Sequence, residues 1–379
     1  MKIVIDGTNY LNKGAELMLE AILEQIKVHH PHASVILNDR HSGIDLRSKR
    51  KDVNTFRPWR LRFGHYPWGI LQLLRLPSTY FTELYPLKRA DILYDASGFR
   101  FGDSWNHPDT WLDAYESYLS AIAAQGTRII FLPQAFGPFH TSAGKRSASI
   151  LGKYADLIIA REQISLEYLL EAGVQREKTA CFSDFTLAVD GVFPSRFETL
   201  KNAVCIIPNR KMISHGGLKK EQYLKAVCQL FEYLRQKNEP AYILNHEGKK
   251  DLRICREISK TMQVPLITGL NARETKGMIG SARLVITSRY HGLASALNQG
   301  IPCIATSWNH KYELLFRDFG MDGTLWEMTS EEVPHAVLDT LLKPEERERI
   351  HAKLTEKKQT LVKKNTEMWS LVRNASDRD

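Results

Sequence analysis

The chain is poor in the features that mark a secreted, membrane-spanning or metal-stapled protein. Its 379 residues include five cysteines, Cys181, Cys205, Cys228, Cys255 and Cys303. They are dispersed, with no CxxC and no Cys/His ligand spacing, which argues against zinc and disulfides and for buried free thiols in a reducing compartment. No window reaches the roughly 18 to 20 apolar residues that a membrane span needs. MKIVIDGTNY at the N-terminus reads as a strand entering a polar loop, without the basic stretch and apolar run of a signal peptide. A cytoplasmic protein is therefore expected. There is no internal repeat, no low-complexity tract and no GxxxxGK[ST] phosphate loop. What is present is ordinary for a globular protein, with 43% hydrophobic residues, but the net charge is +9. That balance favours acidic partners (nucleic acid, phosphorylated small molecules or an anionic membrane surface) without choosing among them.

Strand-like and helix-like segments alternate along the chain. KIVID, ASVILND, ADILYDAS, TRIIFLPQ and ADLIIAR are β-rich runs, separated by apolar-periodic stretches at Ala15 to Ile26, Trp111 to Ala124, Lys145 to Tyr154 and Ser165 to Ala172. DGVFPSRFETLK, from Asp190 to Lys201, breaks the pattern. It restarts with NAVCIIPN, the helix Glu221 to Gln236, PAYILNHE, VPLIT and the helix Arg273 to Ser281. This predicts an α/β protein with mainly parallel sheets, divided into domains at 1–195 and 196–343 and closed by a charged helix at 344–379 that packs one apolar face. A cleft between two such domains is the default ligand site.

The chemistry gathers at strand ends. LVITSRYHGLASALNQGIPCIA, from Leu284 to Ala305, reads as strand, three-residue loop, helix and strand, with Arg289, Tyr290 and His291 in the loop and the helix N-terminus at Gly292. Arg289 offers a fork for a carboxylate or phosphate, the helix start offers N–H groups, and His291 is a phosphate ligand or a general acid/base. Two further strands end in Asn209–Arg210 and in His246–Glu247 with Asp251 beyond. In the first domain, GTNYLNKGAE carries Asn12 and Glu16, and ASGFRFGD carries Ser97, Arg100 and Asp103. A metal reading would require His246, Glu247, Asp251 and His291 to meet. The set is loosely matched in ligand type, and no metal is assigned.

These motifs and their order resemble the polysaccharide pyruvyl transferase family. Ser288-Arg289-Tyr290-His291-Gly292, the GIP turn, Lys311, NKGAE, FLPQAFGPF, ADLIIAREQISLEYLLEAGV and FSDFTL with Asp184 all stand in the family's sequence of motifs, over roughly residues 3 to 320. The resemblance implies two Rossmann-like domains facing each other across a cleft, in the GT-B manner. The N-terminal domain would hold the acceptor, and the C-terminal domain would hold phosphoenolpyruvate as co-substrate. It further implies transfer of the pyruvyl group to two hydroxyls of a cell-surface polysaccharide or its precursor, with release of phosphate. His291 would be the acid and Arg289 and Arg210 the anion clamp. Asn209, Ser288, Tyr290, Gly292, His246 and Lys311 would complete the donor side, with the base drawn from Glu16, Asp103 or Asp184. Many members have Gly-Gly where this chain has Ala96 and Ser97 before Gly98, and a Cβ there narrows the approach to an acceptor. Rival readings are a sugar-nucleotide glycosyltransferase on the same plan and a non-catalytic glycan- or anion-binding relative. The segment Arg47 to Arg75 interleaves Arg and Lys with Trp59, Phe63, Tyr66 and Trp68. It reads either as peripheral contact with an anionic membrane bearing a lipid-linked sugar or as a solvated insertion. A nucleic-acid partner is not adopted.

Overall fold

In a computed structural model of the chain, the residues described are 1–10, 12–38, 54–56, 90–214, 216–306, 311–321, 324–328 and 333–377. Apart from the short strand Asn54–Phe56, the basic and aromatic segment at 47–75 lies outside them. Two compact units partition the chain. One comprises Met1–Leu11, Met18–Thr186 and Lys363–Asp379, and the other Asn12–Leu17 and Leu187–Val362. The break therefore follows Thr186 rather than residue 195, and the terminal helix is divided between the units instead of forming a third.

The first unit is built on strands β1 (Lys2–Asp6), β2 (Ser34–Asn38), β3 (Asn54–Phe56), β4 (Ile92–Asp95), β5 (Phe99–Phe101), β6 (Arg128–Phe136), β7 (Leu157–Ala160) and β8 (Thr179–Cys181). Their order is β3-β2-β1-β4-β6-β7-β8, with β5 on β6, and the pairings are parallel. Helices α1 (Lys13–His29), α2 (Asp109–Ala123), α3 (Ser142–Tyr154) and α4 (Gln163–Glu171) make connections. Continuous buried runs such as IVID, ILYD and LIIA are what a parallel sheet covered on both faces requires. The sequence pattern missed β3, β5 and β8, each of which is only three residues long.

The second unit carries β9 (Val204–Ile207), α5 (Lys211–Ser214), α6 (Lys220–Gln236), β10 (Ala241–Leu244), α7 (Gly248–Met262), β11 (Leu266–Ile267), α8 (Ala272–Gly280), β12 (Leu284–Thr287), α9 (Tyr290–Asn298), β13 (Cys303–Ala305), α10 (Lys311–Asp318) and α11 (His335–Leu341). Its parallel order is β11-β10-β9-β12-β13. Succession runs outward from β9 to β10 and β11 on one side and to β12 and β13 on the other. The order therefore reverses between β9 and β12, and the carboxyl ends of the strands at such a reversal are where α/β sheets bind ligands. Helix α12 (Pro344–Ser376) buries Ile350, Leu354, Leu361, Met368 and Val372, a one-face spacing that matches the expected packed helix. Among the described residues no helix is long and apolar enough to cross a membrane. Cys205, Cys255 and Cys303 are buried as expected, but Cys181, at the end of the marginal strand β8, is exposed.

Candidate active site

Three neighbouring strands of the second unit, β10, β9 and β12, end together, and each carries predicted residues just past its last paired position. Asn209 joins two of these ends. Its side-chain Nδ2 donates to the Ser288 carbonyl at 2.9 Å across the reversal point, while its Oδ1 accepts from Lys211 N at 2.9 Å. Tyr312 Oη donates to the same Ser288 carbonyl at 2.6 Å, and Tyr223 Oη accepts from Asn209 N at 3.0 Å. These two tyrosines were not singled out from the sequence. Tyrosines at helical positions ordinarily read as core, and nothing local marks where their hydroxyls go.

The strand-to-helix turn is tighter than predicted. Helix α9 begins at Tyr290 with Arg289 as its N-cap, so Tyr290 and His291 belong to the first helical turn and Gly292 is not the start. Thr287 Oγ1 accepts from Arg289 N at 2.9 Å, and Leu293 N donates to the Arg289 carbonyl at 2.9 Å, which closes the first turn early. A side chain at Gly292 would press on Ile207 and on Thr287 Oγ1. His291 stacks edge-on against Tyr290 with ring centroids 5.4 Å apart.

Arg289 is buried, and its guanidinium is already engaged by two carboxylates, Glu247 and Asp251. The open fork expected from the sequence is a filled one. The acids considered as half of a metal set are thus the partners of this cation, and among the described residues no group of three or more metal-ligating side chains converges. Asp251 also accepts from Arg210 N at 3.1 Å, which ties the β9 end to α7. Burial pulls Arg289 down to about 10 and pushes Asp251 up to about 6, the latter opposed by the Arg210 N–H and by the charges of Lys211 and Arg210. Arg289 remains a cation at neutral pH. His246 is buried, and burial, with Arg289, His291 and Lys13 as cationic neighbours, holds it well below its ordinary value. Its imidazole is therefore neutral, a hydrogen-bonding group rather than a charged one. His246 Nδ1, Ser288 Oγ and Arg289 Nε are buried and have no hydrogen-bond partner among the described residues. Arg210 and Lys211 are exposed. Lys311 opens α10, and its side chain lies outside the described residues.

The start of α1 belongs to this same unit. Asn12 Oδ1 accepts from Gly14 N at 2.8 Å and from Ala15 N at 3.3 Å, and its Nδ2 donates to Glu247 Oε1 at 3.2 Å. A Cβ on Gly14 would run into the His291 imidazole. The glycine of NKGAE is thus what lets α1 lie against His291, a role no sequence spacing could reveal. Glu16 is buried and paired with Lys13 at 2.5 Å.

The remaining acceptor-side candidates sit in the first unit and are engaged locally. Asp95, at the end of β4, accepts from Ser97 N at 3.0 Å, Ser97 Oγ at 2.6 Å and Gln134 Nε2 at 3.2 Å, and pairs with Arg100 at 3.3 Å. A Cβ at Gly7 would strike Ser97, so the β1 turn can pass only as glycine, in keeping with its φ of 85°. Asp103 accepts from Thr141 Oγ1 at 2.6 Å, Thr141 N at 3.2 Å and His140 N at 2.8 Å. Asp184 accepts from Thr186 N at 2.9 Å and Thr186 Oγ1 at 2.6 Å. The Arg161-Glu162-x-x-Ser165 motif is a brace. Arg161 pairs with Glu162, Ser165 Oγ donates to Glu162 at 2.7 Å, and Phe136 N donates to Ser165 Oγ at 2.9 Å.

A family profile described as polysaccharide pyruvyl transferase matches residues 12–310, most of the chain. The protein belongs to the polysaccharide pyruvyl transferase family. No curated protein sequence matches it significantly. Solved structures of similar fold include Anabaena Alr3699/HepE in complex with UDP and glucose, at 15% identity and TM-score 0.60, covering 98% of this chain and 99% of that one. UDP-GlcNAc 2-epimerase from Methanocaldococcus jannaschii aligns at 13% identity and TM-score 0.60, covering 94% and 100%. S. aureus MnaA with UDP aligns at 14% identity and TM-score 0.55, covering 94% and 90%. The likeness is one of fold, and this family member has the α/β, parallel-sheet fold that the residue pattern predicted, in the GT-B form that the family resemblance implied.

Proposed function

We propose that this family member transfers the pyruvyl group of phosphoenolpyruvate to a pair of hydroxyls on a sugar of a cell-surface polysaccharide or its precursor, in the cytoplasm, releasing phosphate. The observation that carries the reading is the juxtaposition of Arg289 and His291 with His246 and Arg210 at the reversal point of the second sheet, in a chain of this family. A three-carbon donor with a carboxylate and a phosphate matches a cationic cluster that keeps unpartnered donors among its buried atoms.

In the reaction, the donor's methylene carbon takes a proton from His291 and becomes the methyl group, and the electron deficit falls on the neighbouring carbon. A sugar hydroxyl attacks there and loses its proton to a base. Phosphate then leaves with the electron pair of its C–O bond, and a second hydroxyl closes the ketal and loses its proton in turn. Arg289 and Arg210 offset charge on the departing phosphate. Of the three carboxylates considered as base, Glu16 is the one in the same unit as His291, while both oxygens of Asp103 and Oδ1 of Asp184 hold their own loops, and Asp184 Oδ2 lies 3.9 Å from Arg161 Nη1. Neutral His246 would orient the anion by hydrogen bonding.

UDP in the solved neighbours favours a second reading, a sugar-nucleotide glycosyltransferase. The test is phosphate release from phosphoenolpyruvate by the purified protein with a panel of nucleotide-linked and lipid-linked sugars. Acceptor-dependent release that falls by about a thousandfold in His291→Ala is the expected result, the scale of losing a positioned acid with its electrostatic share. Absence of release with turnover of a nucleotide sugar would replace this reading with the second. Binding without turnover would make the protein a non-catalytic relative.

A further inference from the structure

The Glu247 carboxylate sits between two donors. Its Oε1 accepts from Asn12 Nδ2 at 3.2 Å, and its Oε2 pairs with Arg289. The two carboxylates on Arg289 are not equivalent. The Asp251 side chain is 3% exposed and is held a second time by Arg210 N, whereas that of Glu247 is 29% exposed and stands at the N-cap of α7, where no side-chain cap bond fixes it. Asn12 is anchored in turn by capping α1, and Arg289 by Asp251. Removing the Glu247 side chain from between them would leave an amide donor and a guanidinium donor facing one vacated oxyanion position, flanked by the N-terminal turn of α1.

We infer that Glu247 is a displaceable internal anion. It stands where an oxyanion of the donor binds, so that the donor enters by replacing it on Asn12 Nδ2 and Arg289. Asp251 stays in place and keeps the guanidinium aimed. The identity of the incoming anion rests on the pyruvyl-transfer reading, but the position it takes does not. Displacing Glu247 carries the same cost for every anion that takes its position. A donor with separate carboxylate and phosphate groups gains a second set of contacts. The carboxylate therefore sets a threshold that an anion must exceed to bind, one that a donor with two anionic groups exceeds more readily than free phosphate, the proposed product.

The test is calorimetric titration of wild type and Glu247→Gln with phosphoenolpyruvate and with inorganic phosphate, alongside steady-state phosphate release. The variant is expected to bind inorganic phosphate about tenfold tighter, the scale of relieving one competing charge pair at a partly buried site. Phosphoenolpyruvate should gain by a similar factor, appearing as a lowered KM. Equal or weaker phosphate binding by Glu247→Gln at unchanged melting temperature would overturn the inference. If the variant melts early, Glu247→Asp, which withdraws the carboxylate by one methylene, must give a smaller gain in the same direction. Wild type that turns over phosphoenolpyruvate while neither variant gains affinity leaves the functional reading and removes this one. Tighter phosphate binding in a protein that never turns over phosphoenolpyruvate does the reverse.

Discussion

The two units repeat one plan, a parallel sheet with polar residues at adjoining strand ends, yet they treat those residues in opposite ways. In the first unit an acid is central. The Asp95 carboxylate receives two bonds from Ser97 and one from Gln134 and pairs with Arg100, so the loop closes on itself. Burial and the nearby Asp6 still hold Asp95 above its ordinary value, against the pull of Arg100. In the second unit a cation is central, and Arg289, His246 and Ser288 each keep a buried polar atom without a hydrogen-bond partner among the described residues. A buried atom left unsatisfied costs more than a hydrogen bond gains, so such a cluster persists where a ligand completes it. Gln134 Oε1 and Asn38 Oδ1 likewise have no partner among the described residues at the first unit's strand ends. What separates the two units is therefore the centre: a carboxylate saturated by its own loop against a guanidinium shared between two carboxylates.

The sharpest way to break that contrast is at Gly14, whose missing side chain gives His291 its room. If His291 is functional, Gly14→Ala should cut kcat by about a hundredfold, the scale of misplacing a reacting group by an ångström. Alanine in a first helical turn would otherwise favour folding by up to about 1 kcal/mol over glycine. A variant with a raised melting temperature and full turnover would show that the imidazole can move without consequence. It would remove His291 from the chemistry.

A smaller effect is expected at Asp251, and it carries a pH signature. Asp251→Asn keeps the shape but loses the charge that aims Arg289, and a fall in kcat of about tenfold is expected, within the range for one charged contact in a buried pair. The wild-type rate should show an acid limb near pH 6, because the carboxyl is pushed up to about 6 and takes a proton below that. The groups facing it are Arg289, the Arg210 N–H and Lys211, with Glu247 on the far side of Arg289. The asparagine variant should lack that limb. The stability linkage has the opposite sign: a carboxyl raised above its unfolded value binds its proton first in the folded state. This group's contribution therefore falls as pH rises from about 4 to about 6. Rate and melting temperature recorded over the same pH series separate the two, and an acid limb that survives in Asp251→Asn assigns it to another group.

Most of the fold was legible because parallel strands buried on both faces, such as LIIA and LVIT, cannot be mistaken for surface, and the helices between them keep one apolar face. The strand-end residues were legible for the same reason, since polar residues straight after such runs have one place to go. Their partners were not. Glu247 and Asp251 could be weighed only as a loosely matched ligand set, because sequence shows residue types without directions, and only the fold aims both at Arg289. Gly14 and Tyr312 act on residues hundreds or tens of positions away. The helix start was misjudged by two residues because glycine reads as a boundary, whereas here Gly292 is the third residue of a turn already closed by Arg289.

The smallest effect falls on the first unit and tests the contrast from its quieter side. Asp103 carried the same sequence credentials as a base that Glu16 did, yet its oxygens accept from Thr141 and His140 at the entrance to α3. Burial alone would raise its carboxyl, but those three bonds more than offset that and hold it below its ordinary value. A depressed carboxyl stabilises fully above its unfolded value, and that contribution is lost as pH falls through the folded one, so at neutral pH it is entirely present. Asp103→Asn should therefore cost about 1 kcal/mol in unfolding free energy at pH 7, the usual size of such a bond set on a partly exposed loop. The deficit should shrink in acid, and turnover should stay within about twofold of wild type, as expected for a change outside the reacting groups. Denaturant unfolding at pH 7 and pH 3, paired with the phosphate-release assay, reads both. A collapse in turnover with stability intact would return Asp103 to the chemistry and show that a strand-end acid saturated by its own loop can still serve as the base.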